Sequence, residues 1–263
     1  MRTTPVRRLT CLALGTVLLS SGCGADDGGS GGSATAQNGE SIQVFAAASL
    51  NETFTELGEL FEEDHGVSAE FNFAGSSDLV AQLEQGAPGD VFASADEANM
   101  DSAVEAGLVA GEPSLFASNT LTIVTPPGNP AEVEDLEDLA DNDVVTVVCA
   151  PQVPCGAATE QVTEAAGVAL SPASEESAVT DVLGKVRAGE ADAGLVYVTD
   201  ARGAGEDVET IDFPEAHDVV NLYPGAALES SGNPEASEAF VEFLQSTEAQ
   251  EILAEAGFQD PDL

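Results

Sequence analysis

The sequence predicts an α/β protein of two lobes, each a mainly parallel sheet flanked by helices, with two crossover strands as a hinge between them. Short apolar runs alternate with amphipathic segments of helical period over residues 41–106, which is the pattern of β-α-β units with parallel strands. A proline-rich break at residues 126–130 interrupts the alternation, which restarts near residue 144. A chain of this length is sufficient for two lobes of ordinary size.

The elements follow from apolar periodicity and from turn residues, taken in chain order. Strands are predicted at residues 42–47, 67–73, 90–94, 121–125, 144–149, 193–198 and 208–212, with an extended run at 219–227. Helices are predicted at residues 51–65, 77–85, 97–106, 157–166, 178–188, 235–245 and 248–256. We assign residues 41–119 and 225–263 to lobe 1 and residues 120–224 to lobe 2, with the crossings near Thr120 and Tyr223.

The first 23 residues have the features of an export signal. Three arginines precede an apolar run at residues 9–19, which is too short to span a bilayer as a helix. Small residues and Cys23 follow, so we expect Cys23 to be acylated as in a bacterial lipoprotein, although Ser20 replaces the usual leucine. The alternative is a plain cleaved signal with a chance cysteine. Residues 24–40 are rich in Gly, Ser, Asp and Ala and are expected to be a flexible tether.

The charge balance excludes some partners. The chain carries 48 acidic and six basic residues, and three of those six lie within the signal. Such acidity excludes a nucleic-acid-binding surface and argues against docking on anionic lipid by charge. We hypothesise a salt-adapted source, because the Debye length of about 3 Å at 1 M salt makes the self-repulsion tolerable.

Cys149 and Cys155 flank a proline-containing loop. In an oxidising compartment we expect them to form a disulfide. A metal site is less favoured because the chain has only two histidines, neither of them close in sequence. A redox pair is also less favoured because the spacing is not C-x-x-C.

Two serines stand where predicted strands run into helices. Ser49 follows the strand in Phe-Ala-Ala-Ala-Ser-Leu, and Ser76 follows the strand in Phe-Ala-Gly-Ser-Ser. At such turns the hydroxyl and the first N–H groups of the helix point outward together, and the helix dipole attracts anions. The alternative is that both serines only cap helices. Ligands of open α/β sheets bind outside the carboxyl ends of the strands, so these serines, the turn at Cys155 and Tyr197 are candidates to meet in a cleft between lobes.

No enzyme signature is found. The G-x-S-x-G, H-E-x-x-H and Walker A patterns are absent from the sequence, and we expect the chain not to be an enzyme. The paired carboxylates of a secreted hydrolase are the alternative in so acidic a chain, but no spacing singles out a pair. Four aspartates that fall at turns and helix caps are interpreted as structural: Asp90, Asp96, Asp192 and Asp200.

Four motifs resemble, in order and spacing, those of the periplasmic molybdate-binding proteins of bacterial ABC importers. They are VFAAASL at residues 44–50, FAGSS at 73–77, GAPGDVFASAD at 86–96 and GEADAGLVY at 189–197. The resemblance implies the two-lobed fold of class II periplasmic binding proteins. It also implies capture of molybdate, and usually tungstate, for delivery to a membrane permease with an ATPase subunit. A receptor for another tetrahedral oxyanion such as sulfate is the alternative, because the same donors would serve it.

The resemblance also implies the ligand contacts, which include no positive side chain. The donors would be the hydroxyls of Ser49, Ser76 and Tyr197 and the backbone N–H groups of Cys155 and Val179. If the disulfide turned the N–H of Cys155 away, Ala157 would be the neighbouring candidate. Alternatively, Tyr197 packs on the core with its hydroxyl in water, and Val179 is a plain core residue. No cofactor is expected, and molybdenum would be bound only as its oxyanion. We expect an exported monomer, held by lipid at the outer face of the cytoplasmic membrane or in the periplasm.

Overall fold

Two five-stranded sheets organise residues 40–261, the part of the chain described by a computed structural model. The predicted signal, Cys23 and all of the predicted tether except Glu40 lie outside the described residues. Within residues 40–261, no helix has the length and apolar character needed to cross a membrane.

The elements are numbered here in chain order. The strands are β1 (Ser41–Ala47), β2 (Ser68–Ala74), β3 (Val91–Ala93), β4 (Ser114–Asn119), β5 (Leu121–Thr125), β6 (Thr146–Cys149), β7 (Ser174–Glu176), β8 (Ala193–Tyr197), β9 (Glu209–Ile211) and β10 (Asn221–Ala227). The α-helices are α1 (Asn51–His65), α2 (Ser76–Glu84), α3 (Glu97–Glu105), α4 (Pro154–Ala166), α5 (Val179–Arg187), α6 (Val198–Ala204), α7 (Pro234–Phe243) and α8 (Thr247–Ala256).

Each sheet is the centre of one lobe, and both sheets are mixed. The first sheet has the order β2-β1-β3-β10-β4 and the second has the order β7-β6-β8-β5-β9. Strand β1 pairs in parallel with β2 and β3, and β6 pairs in parallel with β7 and β8. The pairs that involve β10 or β5 are antiparallel. The expected mainly parallel pairing therefore holds only where helices connect the strands, because parallel pairing needs such a crossover.

The two strands that follow the crossings enter their sheets in the antiparallel sense. The chain leaves the first sheet at the end of β4 and enters the second with β5, with Thr120 alone between them. It returns through β9 and β10. The predicted lobe boundary between residues 224 and 225 falls inside β10.

Most predicted elements are present within a few residues of their expected bounds, and α1 has the bounds predicted for it. Three elements were missed: β4, β7 and α6. Helix α4 begins three residues earlier than predicted, at Pro154. Proline is favourable at the first helical position because its missing N–H has no intrahelical partner there.

Helix α1 anchors the turn that carries Ser49. Its residues Phe54, Leu57 and Phe61 are fully buried at the spacing of one helix face, and Gly66 ends the helix with φ of 71°. The ring of Phe54 lies 5.6 Å from that of Phe116 and 6.0 Å from that of Phe240, centroid to centroid. Because burial of such a side chain stabilises the fold by about 1.5–3 kcal/mol, the start of α1 is firmly placed against the first sheet.

Helix α5 fixes the opposite side of the cleft in the same way. Val179, Val182, Leu183 and Val186 are buried on one face of this helix. The helix packs close to β8, since a Cβ on Gly194 would lie 2.8 Å from Cγ1 of Val182. The N-terminus of α5 is thereby held at the end of the second sheet.

Candidate functional site

One small cavity gathers all five residues predicted to contact a ligand. It is lined by Ala47, Ala48, Ser49, Gly75, Ser76, Ala95, Val153, Pro154, Cys155, Val179 and Tyr197. Lobe 1 contributes the residues up to Ala95 and lobe 2 contributes the others. The cavity therefore lies between the lobes, at the strand ends where the sequence predicts a cleft.

The two serines do not act as helix caps, so that alternative is wrong. Ser49 lies in a 3₁₀ turn before α1, and its Oγ lies 3.0 Å from the hydroxyl oxygen of Tyr223. Ser76 is the first residue of α2, whose cap is Gly75. The N–H of Ala95 donates to Oγ of Ser76 at 3.1 Å. Since Ser76 accepts this bond, its own hydroxyl proton is free to donate to a ligand.

Cys149 and Cys155 form the predicted disulfide, with their Cα atoms 5.7 Å apart. The N–H of Cys155 donates no backbone hydrogen bond within the described residues, whereas the N–H of Ala157 donates to the carbonyl of Val153 at 2.9 Å. Cys155 thus keeps an available donor, and Ala157, the neighbouring candidate, does not. The loop also requires Gly156, because a Cβ there would lie 1.9 Å from the carbonyl oxygen of Ala150.

Val179 lies at the start of α5, and its side chain is buried in the core, as the alternative for this residue expected. Its N–H donates no backbone hydrogen bond within residues 40–261. The first N–H groups of a helix have no intrahelical acceptor. Val179 therefore combines a packing side chain with a free main-chain donor at the cavity wall.

Tyr197 ends β8 and is 1% exposed. Its hydroxyl is buried and has no hydrogen-bond partner in the described part of the chain, so the alternative of a hydroxyl in water is wrong. Burial, with smaller contributions from Tyr223, Asp96 and Asp200, raises the pKa of Tyr197 well above its usual value. The hydroxyl stays protonated, and its lack of a partner among residues 40–261 is costly unless a ligand accepts a hydrogen bond from it.

The lining of the cavity has no charged side chain, but it includes the N-termini of three helices, which carry partial positive charge. None of its lining residues is charged. The helices α2, α4 and α5 all begin at it, with Ser76, Pro154 and Val179 as their first residues. Helix N-termini carry free N–H groups and a partial positive charge, which together stabilise a bound anion.

Charged residues of the cleft line a second, larger cavity. It shares Ser49 with the small cavity and includes Arg187, Arg202, Glu52 and Asp200 among its lining residues. Burial raises the pKa of Asp200 to about 7, against the opposing effect of the hydrogen bond from the N–H of Tyr197 to its carboxylate. The arginines thus lie beside the small cavity and do not line it.

The four aspartates interpreted as structural all accept hydrogen bonds from main-chain N–H groups. Asp90 accepts from Gln43 and Gly232, Asp96 from Asn99, Asp192 from Val145 and Asp200 from Tyr197. Within residues 40–261 no cluster of histidine, cysteine and acidic side chains could hold a metal ion. These contacts support the structural interpretation.

Sequence reasoning missed the residues behind Ser49. Tyr223 and Asn119 are 0% and 1% exposed and form a buried polar cluster with Ser49 and Thr199. The sequence assigns Tyr223 only to a crossing between the lobes. No local sequence pattern reveals this cluster, because the bonded pairs are 174 and 80 residues apart in sequence.

The lining combines hydrogen-bond donors from both lobes with no charged side chain. Charge-assisted hydrogen bonds to an anion are roughly twice as strong as neutral ones. Ser49 and Ser76 of lobe 1 line the cavity together with Cys155, Val179 and Tyr197 of lobe 2. The chemistry of this donor set suits a small, fully ionised oxyanion.

The chain is similar in sequence and in fold to known proteins. The family model described as bacterial extracellular solute-binding protein matches residues 42–259. The molybdate-binding protein ModA of Mycobacterium tuberculosis is 48% identical over 240 residues, covering 91% of this chain and 92% of the relative. The periplasmic molybdate-binding protein of Azotobacter vinelandii superposes with a TM-score of 0.74 at 23% identity, covering 84% of this chain and 99% of the other.

A sulfate-binding protein has the same fold. SubI of Mycobacterium tuberculosis superposes with a TM-score of 0.73 at 20% identity, covering 85% of this chain and 88% of the other. The fold is therefore shared by proteins that are named for binding different oxyanions. The family match over most of the chain, together with the identity to the mycobacterial relative, places this protein in the family of bacterial extracellular solute-binding proteins.

Proposed function

We propose that this protein binds molybdate in the cavity between its lobes and delivers it to a membrane importer. The observation that carries the proposal is the set of unused donors at the cavity wall: the buried Tyr197 hydroxyl and the free N–H groups of Cys155 and Val179. Ser49 and Ser76 complete the proposed ligand contacts from lobe 1. The curated relative at 48% identity bears the name of a molybdate-binding protein.

Neutral donors favour a doubly charged tetrahedral ion. Each donor would make a charge-assisted hydrogen bond in a cavity without bulk water, and the three helix N-termini would add to the stabilisation. A protonated oxyanion such as hydrogen phosphate would present an O–H group to a wall of donors. That mismatch would leave a buried donor unpaired at a cost of about 1–3 kcal/mol.

Sulfate is the alternative ligand, because it is also a tetrahedral dianion and its binding proteins share the fold. The donor set does not separate sulfate from molybdate, so the size of the cavity would have to do so. The higher identity to a molybdate-binding protein favours molybdate. Tungstate has the same charge and nearly the same size as molybdate, and we propose that it binds as well.

The proposal extends to closure of the lobes. A ligand held by both lobes stabilises the closed form, because only that form makes all the contacts. The crossings near Thr120 and Tyr223 would act as hinges. The partner that receives the ion would be an ABC permease with its ATPase subunit, and the protein would act as a monomer.

We also propose that the protein is exported and held by a lipid on Cys23. The support is the sequence of the N-terminal 23 residues and the extracellular family to which the chain belongs. In this role the protein is a receptor and not an enzyme.

Calorimetric titration with molybdate, tungstate, sulfate and phosphate tests the function. We expect saturable binding of one molybdate or tungstate per chain, much weaker binding of sulfate and none of phosphate. Tight binding of sulfate without binding of molybdate would overturn the assignment. The titration is run in dilute buffer and in molar salt, because the acidic surface predicts that salt stabilises the fold without competing for the neutral site.

A further inference from the structure

We infer that Tyr223 and Asn119 are positioning residues that turn the hydroxyl proton of Ser49 toward the bound oxyanion. The inference rests on the proposed function, because it concerns how that site is prepared for a fully ionised ligand. It assigns a role to two buried residues that are not among those lining the small cavity.

The amide of Asn119 has a defined orientation. Its Oδ1 accepts a hydrogen bond from the N–H of Thr120 at 3.0 Å. Its Nδ2 is therefore the atom that faces the cluster, where it lies 2.8 Å from Oγ1 of Thr199 and 3.5 Å from the hydroxyl oxygen of Tyr223. An amide nitrogen is a donor only. Neither Thr199 nor Tyr223 can donate to it.

Ser49 is the acceptor at hydrogen-bond distance from the Tyr223 hydroxyl in the described part of the chain. Within the described residues its hydroxyl contacts Ser49 Oγ at 3.0 Å and Asn119 Nδ2 at 3.5 Å. Since Nδ2 cannot accept, Tyr223 donates to Ser49. Burial raises the pKa of Tyr223, so the proton is retained. The oxygen of Ser49 accepts this bond, and its own proton is free to point into the cavity that Ser49 lines.

Hydrogen bonds in such a chain run in one direction, from the Asn119 amide through Tyr223 to Ser49 and then to the ligand. Ser76 has the equivalent arrangement with a single main-chain donor, the N–H of Ala95. Both serines are thus held as donors before the ligand arrives, which reduces the reorganisation that binding requires. Polarisation along the chain would also strengthen the last bond.

The cluster also joins the two lobes at the crossing. Asn119 ends β4 of lobe 1, Thr199 lies in α6 of lobe 2, and Tyr223 lies in β10, the strand that follows the second crossing. The amide of Asn119 thus also links the two lobes, through its hydrogen bond to Thr199.

A double-mutant cycle between Tyr223→Phe and Ser49→Ala tests the inference with molybdate as the probe. We expect Tyr223→Phe alone to weaken molybdate binding about tenfold, because the hydrogen bond that orients the Ser49 hydroxyl is lost. In the Ser49→Ala background we expect the same change to cost less than about twofold, because the group through which it acts is gone. Equal losses in both backgrounds would overturn the inference.

Phe258→Leu is the matched packing control. The ring of Phe258 packs edge-on against that of Tyr223, with centroids 5.3 Å apart. This change disturbs the surroundings of Tyr223 and keeps its hydroxyl. Its effect on molybdate binding should be below about twofold and independent of Ser49. A loss equal to that of Tyr223→Phe would assign the effect to packing and overturn the inference.

Asn119→Asp is a second variant, in which the side chain keeps its shape but loses its hydrogen-bond donor. The carboxylate can only accept, so the Tyr223 proton would turn to it and Ser49 would be left donating to Tyr223. We expect a larger loss of affinity than for Tyr223→Phe, and a smaller loss for the same change in the Ser49→Ala background. This variant answers the question even if Tyr223→Phe does not fold. Equal losses with and without the Ser49 hydroxyl would contradict the inference, because a charge effect does not need that group.

Thermal unfolding of each ligand-free variant separates folding from positioning. A wild-type protein that binds no molybdate would overturn the proposed function, and this inference with it. A wild-type protein that binds molybdate, with variants that show no coupling to Ser49, would overturn the inference alone.

Discussion

Gly75 and Ser177 meet across the cleft so closely that a Cβ on Gly75 would lie 2.1 Å from the backbone oxygen of Ser177. Gly75 precedes α2 of lobe 1, and Ser177 lies between β7 and α5 of lobe 2. The backbone of Gly75 has φ of −60° and ψ of 140°, which an alanine adopts without strain. The need for glycine at this position therefore comes from contact between the lobes and not from local conformation.

Gly75→Ala should oppose closure. We expect molybdate binding to weaken by about 1–3 kcal/mol, the usual cost of forcing an extra methyl into a packed contact, while the ligand-free protein keeps its stability. Calorimetry and thermal unfolding measure the two quantities. Gly184→Ala is the matched control, because a Cβ there meets nothing within 4 Å among the described residues. Unchanged affinity in Gly75→Ala would contradict a ligand-bound form with this contact.

Tyr197→Phe should separate binding from stability. The hydroxyl has no partner within residues 40–261, so its removal should leave the ligand-free protein equally stable or slightly more stable. Molybdate affinity should fall by about 1.5–3 kcal/mol, the range for a hydrogen bond to a charged group. A loss of stability without a loss of affinity would show that the hydroxyl serves the fold and not the ligand.

Ser76→Ala should weaken molybdate binding by a similar 1.5–3 kcal/mol or so. Ser77→Ala is its neighbour and control, since the Oγ of Ser77 is buried without a hydrogen bond within residues 40–261 and Ser77 does not line the cavity. Titrations of the two variants side by side give the comparison. If both lose affinity equally, the effect comes from the start of α2 and not from the Ser76 hydroxyl.

Removal of the disulfide should lower stability and spare binding. Replacement of Cys149 and Cys155 by alanine opens a loop of six-residue separation, which costs about 2 kcal/mol by the loop-entropy relation. The backbone N–H of residue 155 remains as a donor. Urea unfolding with and without reductant measures the change, and reductant should lower the stability of the wild type alone. A variant that folds normally and binds no molybdate would show that the disulfide itself orients the donor.

Asp200→Asn should change the pH dependence of stability. Burial raises the pKa of Asp200 to about 7, against about 3.9 in an unfolded chain. The folded state then holds the proton more tightly, so the stability from this group is complete below about pH 4 and is lost as the pH rises to about 7. Asparagine copies the protonated form and keeps an acceptor for the N–H of Tyr197.

The variant should therefore be more stable than the wild type at pH 8 and equal to it at pH 4. Asp200 keeps partial solvent exposure, so we expect about 1–2 kcal/mol and not the larger value of a fully buried acid. Urea unfolding of both proteins at several pH values in constant salt measures the difference. A variant less stable at pH 8 would show that the ionised carboxylate stabilises the N-terminus of α6.

Much of the fold could be predicted because single elements carry strong local patterns. Helix α1 has apolar residues at helical spacing and ends at a glycine with positive φ, so its bounds were predictable. Strand β4 was missed because its last residues, Ser118 and Asn119, are polar and yet buried. The polar groups of these two side chains make hydrogen bonds to residues far away in sequence, and no local sequence pattern reveals such partners.

The residues that line the cavity were predictable from the sequence, whereas the residues behind them were not. The five cavity residues could be chosen through the resemblance to a family and not through spacing, and the cavity contains all of them. Tyr223 could not be placed behind Ser49, since 174 residues separate the two in sequence. Only the pairing of β10 between β3 and β4 brings the tyrosine to that position.

The central claim is that neutral donors of two lobes hold the oxyanion in the small cavity. A crystal grown with molybdate and measured at the molybdenum absorption edge tests it most directly. The account predicts one anomalous peak in the cavity, with ligand oxygens in hydrogen-bond contact with the hydroxyls of Ser49, Ser76 and Tyr197. A peak in the larger cavity beside Arg187 and Arg202, with the small cavity empty, would contradict it.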